Sequence, residues 1–145
     1  MNRDLFLSIL AMDSYNRGYG QRINGLSNAI GTSIGAATLT GNDTSIKARA
    51  AGFFASAYTY NGETIISYRG TDGNTITDAL NGYGVALGYA DQPQGNLATE
   101  FYLTVTGKHV YDLTAPSNVV VVGHSLGGGL AGMISTMSGV RRQFV

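Results

Sequence analysis

Four consecutive valines that lead into a glycine-flanked serine constrain the fold of this chain more than any other feature. Val119–Val122 is apolar at every position, which is typical of a parallel strand covered on both faces. The next five residues are Gly123-His124-Ser125-Leu126-Gly127. Apolar residues then recur at the spacing of one helix face; they are Leu130, Met133, Ile134 and Met137. The segment therefore predicts a strand, a tight turn and a helix, in that order.

The tight turn between the predicted strand and helix has the form of a nucleophile elbow. Glycine at positions 123 and 127 leaves room for the chain to reverse, and Ser125 is expected in a strained conformation with its hydroxyl above the sheet. The helix directs its N–H groups and positive dipole end at this serine. We therefore expect Ser125 to act as a nucleophile and the Leu126 N–H to stabilise an oxyanion.

A glycine-rich turn of this kind has two alternative interpretations. It can serve packing alone, or it can bind a phosphate at the helix N-terminus. A Walker-type loop would end in Gly-Lys-Ser/Thr, and a dinucleotide-binding turn would usually open the first βαβ unit of a chain. Neither condition holds here, which favours the nucleophile.

A β-hairpin is predicted upstream of the elbow. The runs Ala51–Tyr60 and Glu63–Arg69 are rich in aromatic and β-branched residues, and Asn61-Gly62 between them tolerates the positive φ angles of a type I′ turn. The segment Tyr68-Arg69-Gly70-Thr71-Asp72 then starts a loop at the carboxyl end of the second strand. Open α/β sheets bind their ligands at such ends.

The remaining segments give weaker signals. Asn2 or Asp4 can cap a first core helix whose Leu5, Ile9 and Met12 share one face, with Phe6 and Leu10 beside it. Residues 17–43 are expected to form a surface excursion, with a cover over a substrate site as the alternative; within them, residues 29–39 could form an irregular turn or strand.

Two further elements are expected before the valine strand. Residues 75–95 are predicted to be a loop with a short helix around Ile76–Leu80, and Asn96 or Thr99 is predicted to start a helix that runs to about Leu113. The order helix, hairpin, helix, strand, helix indicates an α/β layer architecture in one domain, residues 1–145.

The two glycine-containing motifs together resemble the class 3 (fungal-type) lipases and related bacterial lipases. The similar segments are Gly123–Gly128 and, upstream, Tyr68–Asp72. This resemblance implies part of an α/β-hydrolase sheet, a hairpin plus a parallel nucleophile strand, flanked by helices. It also implies that Thr71 holds the first oxyanion-hole position and the Leu126 N–H the second. Arg69 is expected to be a structural hydrogen-bond donor.

The triad partners of such a serine, an Asp and a His, follow the elbow in this family. The twenty residues after Ser125 contain neither. Of the two histidines, we expect His124 to pack behind the turn and His109 to lie at the opposite edge of the sheet. We therefore expect the domain to be incomplete at its C-terminus, with an unpaired edge at the nucleophile strand. We also expect feeble activity alone, and pairing with a second copy or with a missing C-terminal half.

Charge and composition limit the classes of binding partner that are expected. Nine basic and nine acidic residues give a net charge of zero, so nucleic acid is not an expected partner. Cysteine is absent, and no apolar run has the length of a membrane span or the form of a signal peptide. Metal and organic cofactors are not implied, and the compartment stays open.

The expected function is hydrolysis of a carboxylic ester or lipid substrate by a lipase or esterase, through a serine acyl-enzyme. The alternative is a fragment or a binding module without catalysis.

Overall fold

The computed structural model of the chain describes residues 1–20, 23, 26–70 and 93–144. The helices are α1 (Arg3–Asp13), α2 (Ile46–Ala50), α3 (Pro93–Thr106) and α4 (Leu126–Ser138), and a 3₁₀ turn, Ser14–Asn16, follows α1. The strands are β1 (Ser33–Ile34), β2 (Ala37–Asn42), β3 (Ala55–Tyr60), β4 (Glu63–Tyr68), β5 (Val119–Gly123) and β6 (Arg141–Phe144). The short helix expected at residues 76–80 lies outside the described residues.

These strands form one mixed sheet in the order β1-β2-β3-β4-β5-β6. The first four strands pair antiparallel, whereas β5 is parallel to β4 and β6 is parallel to β5. Helix α3 connects β4 to β5 along the chain, and α4 connects β5 to β6. The predicted α/β fold class is confirmed.

Helices cover both faces of the sheet. On one face, α1 packs over β4, β5 and β6; on the other, α3 and α4 pack against each other and against the sheet. Strand β5 divides its valines between the two cores, with Val120 and Val122 facing α1 and Val119 and Val121 facing α3 and α4. The prediction that the valine run is a parallel strand covered on both faces is therefore confirmed.

The predicted hairpin is also confirmed. Asn61 and Gly62 have φ angles of 48° and 79°, as a type I′ turn requires. Strand β3 begins at Ala55 rather than Ala51, because α2 ends at Ala50 and the chain then turns at Gly52, whose φ is 66°. Ser45 caps that short helix by accepting a hydrogen bond from the Ala48 N–H at 3.1 Å, a signal that the sequence interpretation missed.

The surface excursion expected over residues 17–43 instead contributes two strands to the sheet, β1 and β2. Ala37 and Leu39 are fully buried in the core beneath α1. Leu39 belongs to the stretch for which an irregular turn or strand was expected. The alternative role as a cover over the site stays a prediction.

The buried face of α1 differs from the predicted one. Asn2 caps the helix, as expected, but Leu5, Ile9 and Met12 are exposed by 56%, 38% and 42%. The side chains that enter the core come from the adjacent face; they are Phe6, Leu7, Leu10 and Ala11. Both faces are apolar in sequence, so periodicity alone did not distinguish them.

Two predictions for the segments around β5 are wrong, namely the end of α3 and the unpaired edge at β5. Helix α3 spans Pro93–Thr106 and ends at Gly107, whose φ of 70° turns the chain away from the helix. The nucleophile strand is not at the edge of the sheet, because Gly139 ends α4 in a left-handed conformation and the chain returns as β6 beside β5. Arg141 and Arg142, whose positive charges are typical of a helix C-terminal end, therefore begin a strand.

A buried ion pair connects the end of α1 to the sheet. Arg17 Nε lies 2.8 Å from Asp13 Oδ2, and both side chains are almost fully enclosed. The Tyr58 hydroxyl on β3 donates to the same carboxylate oxygen at 2.8 Å. Burial, and then the charge of Asp13, raise the pKa of Tyr58 well above its usual range, so the hydroxyl keeps its proton. The Asp13–Arg17 pair spans the 3₁₀ turn, and the Tyr58 hydroxyl joins this pair to β3.

Glu63 connects three segments at the opposite end of β4. Its carboxylate accepts hydrogen bonds from Arg3 at 2.8 Å and from Arg141 at 2.5 Å, which join α1, β4 and β6. The hydrogen bond from Arg3, with that from Arg141, lowers the pKa of Glu63 below its usual 4.5. A carboxylate with a lowered pKa stabilises the fold above that usual value and loses this effect as the pH falls through the folded-state pKa.

We predict that Glu63→Gln lowers the free energy of unfolding at neutral pH by at most about 1 kcal/mol, because these ion pairs are partly exposed. The difference from wild type should shrink as acid protonates the native carboxylate. Urea unfolding across a pH series measures this. The control is Glu100→Gln, which removes a surface carboxylate 3.9 Å from Lys47 and should change little. A difference that is independent of pH would contradict the electrostatic explanation.

Candidate active site

Ser125 lies between β5 and α4 with a backbone conformation that ordinary residues avoid. Its φ is 56° and its ψ is −127°, and the side chain is exposed. In the described part of the chain, the other non-glycine residue with a positive φ is Asn61, in the hairpin turn. Such strain persists only when the surroundings fix it. The predicted elbow of strand, strained serine and helix is therefore present.

The two glycines of the elbow are required by close backbone contacts. A Cβ atom at Gly123 would overlap the Gly127 backbone, and a Cβ atom at Gly127 would overlap the carbonyl oxygen of Tyr68. The start of α4 therefore lies directly against the end of β4. This contact brings the Ser125 turn to the carboxyl ends of two neighbouring parallel strands.

The first turn of α4 leaves one N–H group without an acceptor beside the serine. The Gly127 N–H donates to the His124 carbonyl at 3.0 Å, and the Gly128 N–H donates to the Ser125 carbonyl at 2.9 Å. Among the described residues, the Leu126 N–H has no such acceptor. It therefore stands at the positive end of the helix dipole, next to Ser125, where it can donate to a ligand oxygen.

Arg69, which follows β4, is held in the core. Its Nη1 donates to the Tyr19 carbonyl at 2.7 Å, and its guanidinium lies over the rings of Tyr19 and Phe54, at 4.5 and 5.0 Å from their centroids. The side chain is 1% exposed. Arg69 is therefore a buried hydrogen-bond donor, as its position before the loop predicts.

Tyr68, the aromatic residue of the same motif, is a core residue. It is fully buried, and its hydroxyl donates to the Ala98 carbonyl of α3 at 3.2 Å. Burial raises the pKa of Tyr68 well above its usual range, so the phenol stays neutral. The side chain thus anchors α3 against β4 and does not enter the site.

Tyr15 is a component of the site that the sequence interpretation missed. Its hydroxyl accepts a hydrogen bond from the Gly70 N–H at 3.2 Å and lies 3.3 Å from His124 Nδ1 and 3.4 Å from the His124 carbonyl oxygen. These partners are 55 and 109 residues away along the chain. No local pattern could have indicated the contact.

The two histidines occupy different places. His109 follows α3 in a turn, where its backbone N–H donates to the Asp112 carboxylate at 3.0 Å. The residue lines a surface pocket together with Met137. Met137 is at the end of α4 far from Ser125, so His109 lies near the opposite edge of the sheet. His124 is exposed and contacts Tyr15, so the expectation that it packs behind the turn is wrong.

Three further expectations concern Thr71, metal ions and membrane-spanning helices. Thr71 is outside the described residues. Within the described ranges, no cluster of three or more His, Asp or Glu side chains could hold a metal ion. The same residues include no helix that is long and apolar enough to cross a membrane.

Comparison with known proteins identifies the family of the chain. A family model for the Tle-like phospholipase domain, described as phospholipase-like, matches residues 7–143. No curated protein and no solved structure matches the chain. The match supports the expected lipase-like hydrolase family, although it does not identify the class 3 fungal-type lipases. Because it extends from α1 through β6 and includes the elbow, the chain belongs to the phospholipase-like family of Tle-like phospholipase domains.

Proposed function

We propose that the chain hydrolyses carboxylic ester bonds of phospholipids, with Ser125 as the nucleophile. The observation that carries this proposal is the strained backbone of Ser125, φ 56° and ψ −127°, at a turn from a buried parallel strand to a helix. Neighbouring glycines and the end of β4 enforce this conformation. A serine with only a packing role would not require such strain.

The phospholipid substrate class is proposed from family membership. The matching family model is that of a phospholipase-like domain. It covers residues 7–143 of this chain, which include every element that forms the elbow. A serine nucleophile suits the acyl ester bond, because attack on its carbonyl gives a tetrahedral oxyanion that N–H donors stabilise. Neutral glycerides carry the same ester bond and are the second substrate class, in keeping with the resemblance to class 3 lipases.

In the proposed reaction, the Ser125 hydroxyl oxygen forms a bond to the acyl carbon as its proton passes to a general base. The Leu126 N–H donates to the oxyanion. The carbon–oxygen bond to the glycerol then breaks, the base returns the proton to the leaving alcohol, and the acyl group stays on Ser125. Water then forms a bond to the acyl carbon as the same base takes its proton. The bond from that carbon to the Ser125 oxygen breaks, the base returns the proton to this oxygen, and the fatty acid leaves.

We propose that neither histidine of this chain is that general base. His109 lies near the opposite edge of the sheet from Ser125, and the His124 ring contacts Tyr15. Without a base, a serine hydroxyl at neutral pH reacts slowly, and oxyanion stabilisation alone leaves about 10³–10⁴-fold catalysis over water. Activated esters and fluorophosphonates are therefore suitable probes of the residues described here.

Thr71 is proposed as the second oxyanion donor, through its backbone N–H and hydroxyl. Gly70, the residue before it, packs against the elbow so closely that a Cβ there would lie 3.3 Å from the Ser125 Cβ. The chain therefore enters position 71 from a point beside the nucleophile, which supports this assignment.

We predict that a fluorophosphonate probe labels Ser125 and that Ser125→Ala abolishes both labelling and hydrolysis of an activated ester. The reason is that Ser125 carries its hydroxyl on the exposed, strained turn between β5 and α4. Peptide mapping by mass spectrometry locates the adduct. Ser117→Ala, at an exposed serine before the other end of β5, is the matched control and should label normally. Labelling at another serine, or unchanged hydrolysis by Ser125→Ala, would favour the binding-module alternative.

For Thr71 we predict that Thr71→Val lowers the turnover of an activated ester by about 10²–10³, because the change removes a hydroxyl donor and keeps the side-chain size. Steady-state kinetics measure this effect. Thr59→Val, at an exposed threonine of β3, is the control and should retain the wild-type rate. An unchanged rate for Thr71→Val would leave only the backbone N–H in the proposed role.

A further inference from the structure

The Tyr15 hydroxyl lies at the junction of the two segments that form the candidate site. The residue belongs to the 3₁₀ turn after α1 and is 4% exposed. Its hydroxyl reaches the Gly70 N–H at the end of β4 and both the carbonyl oxygen and the Nδ1 atom of His124. A single buried group thus joins the end of β4 to the residue immediately before the nucleophile.

The hydrogen-bond capacity of a phenol matches this position. A tyrosine hydroxyl has one proton to donate and two lone pairs to accept with. The Gly70 N–H can only donate, so it occupies a lone pair at 3.2 Å. The His124 carbonyl oxygen, at 3.4 Å, accepts from the hydroxyl, whereas His124 Nδ1, at 3.3 Å, accepts or donates according to its tautomer. Either contact connects Gly70 to His124 through Tyr15.

Gly70 lies so close to these groups that no side chain fits at its position. A Cβ atom at this position would lie 2.7 Å from the His124 carbonyl oxygen and 3.3 Å from the Ser125 Cβ, and it would overlap the Tyr15 hydroxyl. The Gly70 backbone therefore fills the gap between the elbow and Tyr15. Loss of the Tyr15 hydroxyl would leave the buried Gly70 N–H without this acceptor. It would also allow the Gly70 backbone to move relative to the elbow.

The His124 carbonyl is also part of the elbow itself. It accepts the hydrogen bond from the Gly127 N–H at 3.0 Å, and it belongs to the peptide that precedes Ser125. The orientation of this peptide sets the φ angle of Ser125, because peptide planes are rigid. A strained φ angle of this kind is kept only by contacts on several sides. Helix α4 provides one side, and Tyr15 provides another.

We propose that Tyr15 is a positioning residue: its hydroxyl holds the His124–Ser125 peptide and the Gly70 backbone in register, and thereby keeps the Ser125 hydroxyl directed at the substrate. This inference rests on the proposed function of Ser125.

The test compares Tyr15→Phe with Tyr58→Phe. Each change removes one hydroxyl from a buried tyrosine and keeps the ring, but the hydroxyl of Tyr58 bonds to Asp13 at the end of α1 and not to the elbow. We expect Tyr15→Phe to lower the maximal rate of Ser125 labelling by a fluorophosphonate about tenfold without a change in the probe's half-saturating concentration. Tyr58→Phe should lower the thermal unfolding midpoint and leave that maximal rate unchanged.

Amide hydrogen exchange gives a second measurement that does not depend on catalysis. Tyr15→Phe should accelerate exchange of the Gly70 amide by about tenfold relative to amides of β5, whereas Tyr58→Phe should not. If wild-type Ser125 does not label, the proposed function is wrong, and unchanged Gly70 exchange would separately overturn the Tyr15 connection. If wild type labels and Tyr15→Phe labels at the same maximal rate, the positioning role is overturned and the function of Ser125 stands.

Discussion

The close contact between the start of α4 and the end of β4 determines the rest of the candidate site. Gly127 lies so near the Tyr68 carbonyl that any side chain would overlap it. Because β4 and β5 are parallel neighbours, this contact forces the chain to reverse within a few residues after β5. The reversal is what places Ser125 at a φ of 56° and leaves the Leu126 N–H beside it. Packing of backbone against backbone thus produces the geometry on which the proposed chemistry depends.

Those parts of the structure that depend on local signals could be predicted from the sequence. A valine run that is apolar at every position indicated β5. Helical spacing of apolar residues indicated α4, and Asn61-Gly62 indicated the hairpin turn. The strain at Ser125 was also predictable, because a serine with glycine two residues away on each side, between a strand and a helix, is typical of a nucleophile elbow. Ser125 was therefore the part of the site that the sequence predicted most directly.

Features decided by tertiary contacts could not be predicted in this way. Helix α1 carries apolar residues on two faces, and only the docking against β4, β5 and β6 selects Phe6, Leu7 and Leu10 over Leu5 and Ile9. The start of β6 could not be placed, because its first residues, Arg141 and Arg142, are also typical of a helix end. The Tyr15 contacts join residues up to 109 positions apart, and such a distance leaves no periodic trace in the sequence.

The proposed mechanism depends on Ser125 forming a covalent bond with the acyl group of a lipid. The most direct measurement is to mix the protein with a short-chain phospholipid or activated acyl ester, stop the reaction with acid, and locate the acyl group by peptide mass spectrometry. The mechanism predicts an acyl group on Ser125, because every turnover passes through this intermediate and the acid stops its hydrolysis. Hydrolysis with an acyl group on another residue, or with none on the protein while Ser125→Ala stays active, would contradict it.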